Sequence, residues 1–164
     1  MNPLSNETIA ILEPLITEFE GVKLKAYKCP AGVVTIGAGF TGKIPDECRD
    51  IGTEVKMGMT ITQEQSTRLL KVAMDKYWQG ALKYSPNLIN ASPSRQAAII
   101  DFCYNCGLGN YQVSSLLLAV NKGDWYEASK SILKWNKARV KGVLKVLPGL
   151  VRRREAESKL LLGG

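Results

Sequence analysis

The sequence of 164 residues contains no histidine and only four cysteines, Cys29, Cys48, Cys103 and Cys106. The last two form the one C-x-x-C pair, and a tetrahedral zinc site built on that pair would lack half its ligands. A redox role for the pair is the alternative, but no βαβ pattern surrounds it. We therefore expect reduced thiols, with Cys103 and Cys106 buried at helical spacing, and no metal or cofactor.

Long apolar runs are also missing, and we expect no leader peptide. No stretch reaches the roughly 18–20 uninterrupted apolar residues of a membrane-spanning helix. The first 30 residues carry four glutamates in and around their apolar stretch and no basic leader, which is untypical of a signal peptide. Repeats and low-complexity segments are absent as well. We expect a compact globular protein that is made and folded in a cytoplasm.

The net charge of +7 is unevenly distributed. Between Lys130 and Lys159 there are ten basic residues and two acids, whereas the rest of the chain holds 12 bases and 13 acids. Such a segment suggests a polyanionic partner, for example an anionic membrane or lipopolysaccharide surface. Because Trp135 is the only aromatic residue there, a nucleic-acid partner is disfavoured.

The pattern of periodicity and turn residues predicts an α+β fold that is mostly helical. Apolar spacing indicates a helix over residues 5–19, with Pro14 as an interior flaw, and glycine-rich β-branched runs indicate a small β lobe over about 21–60. Cap residues predict four further helices, beginning after Thr62, Ser92, Asp124 and at Pro148. The first of them should run to about Lys83, and the one after Asp124 should run through Trp135. The first would connect the β lobe to a helical lobe of about residues 90–164 plus the N-terminal helix, with a cleft between the lobes.

The most informative motif is the spacing of Glu20, Cys29 and Thr35. The glutamate ends the apolar helix, and the following turn and β-branched segment bring two more reactive side chains back towards it. Chemistry that protonates one atom and presents water to its neighbour needs such a convergence.

Longer blocks around this motif give the chain a resemblance to a known family. The first block comprises Glu20-Gly21, Ala26-Tyr27, Thr35-Ile36-Gly37-x-Gly39 and Thr41-Gly42, and the second is Asp101-Phe102-x-Tyr104-Asn105-x-Gly107-x-Gly109. The third comprises Asn121-x-Gly123-Asp124, Trp135 and Gly149–Arg154, followed by a glutamate for which Glu155 fits best. In this order the blocks resemble the phage-type lysozymes, the endolysin family of glycoside hydrolases.

The resemblance implies a lysozyme-like fold, with residues 1–164 forming a single catalytic domain. It also implies hydrolysis of the β-1,4 bond between N-acetylmuramic acid and N-acetylglucosamine in peptidoglycan. Glu20 would then be the general acid, Cys29 would activate or place the attacking water, and Thr35 would hold that water. Alignment with the family further suggests substrate contacts at Thr41, Tyr104, Asn105, Ser114 and Ser129.

Two positions depart from the family pattern. Most relatives have aspartate at the position of Cys29, and a thiol with an ordinary pKa is mostly neutral near pH 7. The residue types therefore leave three roles open for Cys29: base, nucleophile or water ligand. Phe40 stands where histidine is usual, and we expect an apolar role for it.

The family resemblance also predicts where the protein is held and how it reaches its substrate. A monomeric endolysin would wait in the host cytoplasm until a separate holin-type membrane pore lets it reach the cell wall and release progeny. A lytic transglycosylase, which forms an anhydro sugar without water, is the enzymatic alternative. A membrane-active cationic protein is the non-enzymatic one.

Overall fold

The computed structural model describes residues 2–163, in which seven α-helices, two short 3-10 helices and five strands are formed. The helices are α1 Asn6–Glu20, α2 Gln63–Tyr84, α3 Pro93–Cys106, α4 Leu108–Gln112, α5 Ser115–Asn121, α6 Trp125–Ile132 and α7 Pro148–Gly163. The strands are β1 Lys23–Lys28, β2 Val34–Gly37, β3 Phe40–Thr41, β4 Lys137–Val140 and β5 Val143–Val146. The predicted mostly helical α+β class is confirmed.

The chain forms two compact units, one of which runs from Glu13 to Lys76. Within this unit β1, β2 and β3 form an antiparallel sheet in that order. Its small core contains Ile36, Ile44 and Leu69, and Phe40 packs against that core. The expectation of an apolar role for Phe40 is therefore confirmed.

The other unit comprises the chain before and after that segment and is helical apart from β4 and β5. Helix α3 packs against α7, which also packs against α6. Residues 96–103 of α3 are all buried, because nearly every side chain in this stretch is apolar. That the whole chain forms one catalytic domain stays a prediction.

Cap residues located the helix starts correctly. Thr62 and Gln65 form the expected capping box, with reciprocal backbone-to-side-chain hydrogen bonds of 2.9 and 3.1 Å. The Ser92 side chain accepts from the Arg95 N–H, and the Asp124 side chain accepts from the Glu127 N–H.

The expected extent of the helix after Asp124 needs correction, whereas the predicted helix that contains Pro14 is formed. Helix α6 ends at Ile132 and does not reach Trp135, and an unpredicted hairpin of β4 and β5 follows. Helix α1 continues through Pro14. Among the described residues, no helix has the length and apolar character needed to cross a bilayer.

A buried ionic network connects α3 to α7. The Arg153 guanidinium donates to both carboxylate oxygens of Asp101 at 2.9 and 2.8 Å, and both side chains are at most 4% exposed. Arg154 pairs with Glu157 at 2.6 Å, and both of these side chains are fully buried. The buried glutamate of α7 is thus Glu157, whereas Glu155, favoured from the sequence, is exposed.

Candidate functional site

Glu20 is the last residue of α1 and is half-buried. The helix ends there because Gly21 adopts a left-handed conformation with φ of 71°. The Gly21 N–H still donates to the Thr17 carbonyl at 2.9 Å, which closes the final turn. This termination fixes the Glu20 side chain beside the start of the sheet.

Cys29 lies at the tight turn that connects β1 to β2. The Cys29 N–H donates to the Val33 carbonyl at 3.0 Å, and the Gly32 N–H donates to the Cys29 carbonyl at 2.8 Å. The resulting three-residue loop, Pro30 to Gly32, holds the half-buried thiol at the end of the hairpin.

The sheet register places Tyr27, Thr35 and Thr41 next to one another across the three strands. Tyr27 is directly opposite Thr35, and Thr35 is directly opposite Thr41. Residues opposite each other on antiparallel strands share a face, with Cβ atoms about 4.5–5.5 Å apart. Cys29 follows the end of β1, and the contact of its thiol with the Thr35 side chain places it on the same side. The predicted residues Cys29, Thr35 and Thr41 therefore belong to one surface of the sheet.

The turn and Thr35 together favour the ionised thiol of Cys29. Its pKa is held below the ordinary value, chiefly by a hydrogen bond from the Val33 backbone, with further donors at Ala31 and the Thr35 side chain. Thr35 is 4% exposed, and its hydroxyl lies 2.9 Å from the Val33 carbonyl. The single hydroxyl proton of Thr35 can go to that carbonyl or to a Cys29 thiolate, so the two side chains respond to each other's protonation.

Two further residues surround Glu20, and the sequence did not single them out as site residues. The pKa of Tyr27 is raised, first by burial and then by the negative charges of Glu20 and Cys29, so the phenol shares an electrostatic environment with both. Gly39 has φ of 87°, and a Cβ built on it would lie 3.1 Å from Glu20 Oε1. A side chain at position 39 would therefore press on the carboxyl group.

A signal for both residues was available in the sequence. A three-residue hairpin loop after Cys29 places Tyr27 opposite Thr35, so recognising the loop type would have identified Tyr27. Gly39 belongs to the quoted family block, and a close approach of backbone to a functional group is one reason for glycine at such a position. What the sequence could not show is that the neighbouring group is Glu20.

Tyr104 and Asn105 lie near the end of α3 in the helical unit. Both are half-buried, and the Tyr104 ring lies 5.3 Å from the Tyr77 ring, between centroids. The Asn105 side-chain oxygen accepts a weak hydrogen bond from the Cys106 thiol at 3.7 Å. Their assignment as substrate contacts stays a prediction.

Ser114 and Ser129 have hydroxyl groups that serve the helical backbone. Ser114, 5% exposed, accepts from the Leu117 N–H at 3.0 Å as the N-cap of α5 and donates to the Tyr111 carbonyl. Ser129, 3% exposed, donates to the Tyr126 carbonyl at 2.6 Å. These contacts give no support to a role in substrate binding, which remains a prediction from alignment only.

All four cysteines are free thiols, as expected. Cys103 is buried and Cys106 is half-buried, and burial raises the pKa of both thiols. Arg154 donates to the Cys106 sulfur at 2.7 Å. Trp135 packs its ring edge-on against Phe102 at 5.5 Å, in agreement with a core role.

The fold and the motif agree with comparisons to known proteins. Residues 17–157 match the sequence profile of the Phage lysozyme family. The chain is 35% identical over 146 residues to the endolysin of Acyrthosiphon pisum secondary endosymbiont phage 1, covering 89% of this chain and 91% of that one. It is 31% identical over 171 residues to the SAR-endolysin of Bacteriophage PS119, covering 100% and 92% of the two chains.

A solved structure supports the same conclusion. The endolysin from the Escherichia coli phage FAHEc1 superposes with a TM-score of 0.80 at 31% identity, covering 99% of this chain and 94% of that one. The match extends over both compact units and not only over the motif around Glu20. The chain therefore belongs to the phage lysozyme family.

Proposed function

We propose that the chain hydrolyses the β-1,4 bond between N-acetylmuramic acid and N-acetylglucosamine, with Glu20 as the general acid. As a member of the phage lysozyme family, it is a peptidoglycan glycoside hydrolase that acts in host-cell lysis. The observation that carries the residue assignment is the arrangement within residues 13–76, where Gly39 closely approaches Glu20 and one face of the sheet holds Cys29 and Thr35.

In the proposed reaction, the carboxyl group of Glu20 gives its proton to the glycosidic oxygen as the bond to the anomeric carbon breaks. Cys29 acts on the opposite face of the sugar ring as a thiolate. Hydrogen bonds from the Val33 backbone and the Thr35 side chain favour this ionised form. As a base it takes a proton from the attacking water, and as a nucleophile it bonds the anomeric carbon until water displaces it. Thr35 orients that water in either case.

Digestion of purified peptidoglycan, followed by mass spectrometry, tests the proposal. Hydrolysis leaves a reducing muramic-acid end that is heavier by one water than the anhydro product of a lytic transglycosylase. We expect the heavier product. The anomeric configuration of the new end separates the two roles of Cys29, because a covalent intermediate retains the configuration and direct attack by water inverts it.

We expect Cys29→Asp to keep measurable turnover and Cys29→Ala to lose most of it, by about tenfold or more. An aspartate supplies an ionised base at the same turn, whereas alanine supplies neither base nor nucleophile. The rate-versus-pH profile gives a second readout, because an aspartate, with an ordinary pKa near ~3.9, should move the acidic limb to lower pH. If alanine were as active as cysteine, the thiol would have only a structural role.

Gly39→Ala should lower turnover on peptidoglycan by up to about tenfold, because the new methyl group shifts the Glu20 carboxyl by a fraction of an ångström. Gly58→Ala is the matched control, since Gly58 has a similar φ of 94° but no atom within 4 Å of a built Cβ. Both variants should lose a similar stability of about 1–2 kcal/mol from the left-handed backbone. Equal activity losses in the two variants would show that backbone strain, and not contact with Glu20, is responsible.

We further propose that the chain accumulates in the host cytoplasm and reaches the wall after a separate pore opens the membrane. The relative from Bacteriophage PS119 is named as a SAR-endolysin, so a route that uses the chain's own targeting segment is the alternative. Fractionation of cells that express the chain without a pore-forming partner distinguishes them. The proposed route predicts that the chain stays with soluble cytoplasmic markers and that the cells remain intact.

The basic segment from Lys130 to Lys159 supports a second partner beside the glycan strands, namely an anionic surface of the envelope. Its surplus of positive charge contrasts with a nearly neutral remainder of the chain. Long-range attraction of this kind concentrates a protein at a surface of opposite charge.

A further inference from the structure

The hairpin of β4 and β5 differs from the rest of the basic segment. Its strands pair in register from Lys137 opposite Val146 to Val140 opposite Val143. The two connecting residues, Lys141 and Gly142, both have positive φ, of 51° and 79°. Such a two-residue turn matches the twist of the strands and makes the hairpin regular.

Nearly the whole hairpin faces solvent. Every residue of the two strands is exposed except Ala138, which is half-buried. The ten residues from Lys137 to Val146 contain four bases and no acid. Four apolar side chains are exposed with them: Val140 at 37%, Val143 at 56%, Leu144 at 57% and Val146 at 52%. A strand that covers a core hides its aliphatic residues on one face, which these strands do not do.

The register distributes both kinds of side chain over both faces. On one face, Arg139 lies opposite Leu144, and Lys137 lies opposite Val146. On the other face, Lys145 is next to the pair of Val140 and Val143. Each face therefore presents aliphatic side chains beside basic ones. The long stems of the basic side chains can carry their charged ends away from the aliphatic groups.

We propose that this hairpin docks on an anionic lipid surface, with its bases at the headgroups and its valines and leucine in the upper acyl region. A soluble polyanion would satisfy the four bases but would leave the aliphatic side chains in water. A lipid surface with acidic headgroups matches both, because it attracts basic residues and accepts apolar side chains just below them. The inference deepens the proposed envelope partner and rests on that part of the proposed function.

Three variants separate local from general charge effects. The hairpin charge variant carries Lys137→Gln, Lys141→Asn and Lys145→Gln. The matched control carries Lys43→Gln, Lys71→Gln and Lys83→Gln, all exposed positions outside the hairpin. Both remove three positive charges from the same total of +7. Asparagine tolerates the left-handed conformation of position 141, and Arg139, which donates to the Gly142 carbonyl, is left in place.

The third variant tests the apolar contribution and carries Val143→Thr, Leu144→Thr and Val146→Thr. Threonine is β-branched, which suits a strand, and it removes aliphatic surface at all three positions. Circular dichroism and the rate on purified, lipid-free peptidoglycan check that each variant is folded. We expect rates within about twofold of the unsubstituted chain, because no hairpin residue belongs to the proposed catalytic machinery.

Binding is measured by co-sedimentation with vesicles of phosphatidylcholine alone and with vesicles that also contain phosphatidylglycerol. We expect binding to the anionic vesicles only, and weaker binding in high salt, as the screening length falls from about 10 Å at 0.1 M to about 3 Å at 1 M. The hairpin charge variant should partition about tenfold to hundredfold less, and the matched control should change little. The apolar variant should bind vesicles several-fold less but bind soluble polyphosphate as the unsubstituted chain does.

Several outcomes would overturn the inference. They are equal binding to both vesicle types, no binding at low salt, an equal loss in the matched control, or full vesicle binding by the apolar variant. Loss of peptidoglycan hydrolysis in folded hairpin variants would assign the hairpin to the glycan site instead. If the unsubstituted chain binds as expected but does not cleave peptidoglycan, the catalytic proposal fails and the hairpin inference stands.

Discussion

Replacing Glu20 by glutamine should lower turnover on purified peptidoglycan by about 10²–10⁴-fold without changing the fold. Glutamine has nearly the same shape as glutamate and can occupy the same space at the end of α1 beside Gly39. It cannot deliver a proton to the glycosidic oxygen, so the leaving group would depart without protonation. The measurement is the release of reducing ends from purified sacculi, with thermal unfolding as the check on the fold.

The matched control is Glu18→Gln, which removes the same charge from an exposed position of the same helix. We expect it to behave like the unsubstituted chain. Near-normal turnover in Glu20→Gln would refute the role of Glu20 as general acid. If the inactive Glu20→Gln protein still killed cells when applied from outside, the killing would be due to membrane disruption and not to peptidoglycan hydrolysis.

Local signals were sufficient to place the starts of α2, α3 and α6. Thr62 with Gln65, Ser92 before Pro93, and Asp124 each satisfy backbone N–H groups that a helix start leaves without partners, and the structure shows these bonds. Such contacts join residues about three positions apart, so they can be read from the sequence without knowledge of the tertiary fold.

The second hairpin could not be found in the same way. Its turn has Lys141 at positive φ, where asparagine, aspartate or glycine is usual, so it carries only half of the normal turn signal. Strand β5 also does not alternate in the way that a half-buried strand does, because Val143 and Leu144 are adjacent apolar residues. Residues that favour strands do not by themselves distinguish this segment from a basic loop when no face of it is buried.

The candidate site was partly predictable for a related reason. Spacing and family resemblance selected Glu20, Cys29 and Thr35, and the sheet register accounts for the common face of Cys29, Thr35 and Thr41. The contact between Gly39 and Glu20 depends on how the end of α1 meets a turn of the sheet. Tertiary contacts of this kind leave no periodic pattern in the chain.

The buried pair of Arg153 and Asp101, 52 residues apart, is the clearest case of a contact that the sequence did not reveal. Replacing Arg153 by leucine leaves the Asp101 carboxylate in a fully buried position without its two hydrogen bonds from the guanidinium. Removing one partner of a buried ion pair costs about 3–5 kcal/mol of unfolding free energy. For a chain of this size, each kcal/mol shifts the thermal midpoint by about 2–4 °C, so a decrease of about 6–20 °C is expected.

Arg152→Leu is the matched control, because the neighbouring side chain carries the same charge but is exposed, and its midpoint should change by little. The double variant Arg153→Leu with Asp101→Leu should be more stable than Arg153→Leu alone, since no unpaired charge stays buried.

The pH dependence of this effect has a definite sign. Burial raises the pKa of Asp101, but hydrogen bonds with Glu157 and Arg153 and the charge of Arg153 outweigh it and hold the pKa below its ordinary value. The stability that the pair contributes is therefore present above the unfolded-state pKa near ~3.9 and is lost as the pH falls through the folded-state value. The difference between the unsubstituted chain and Arg153→Leu should therefore be largest near neutral pH and shrink towards acid, and a difference independent of pH would show that lost packing, not lost charge pairing, is the cause.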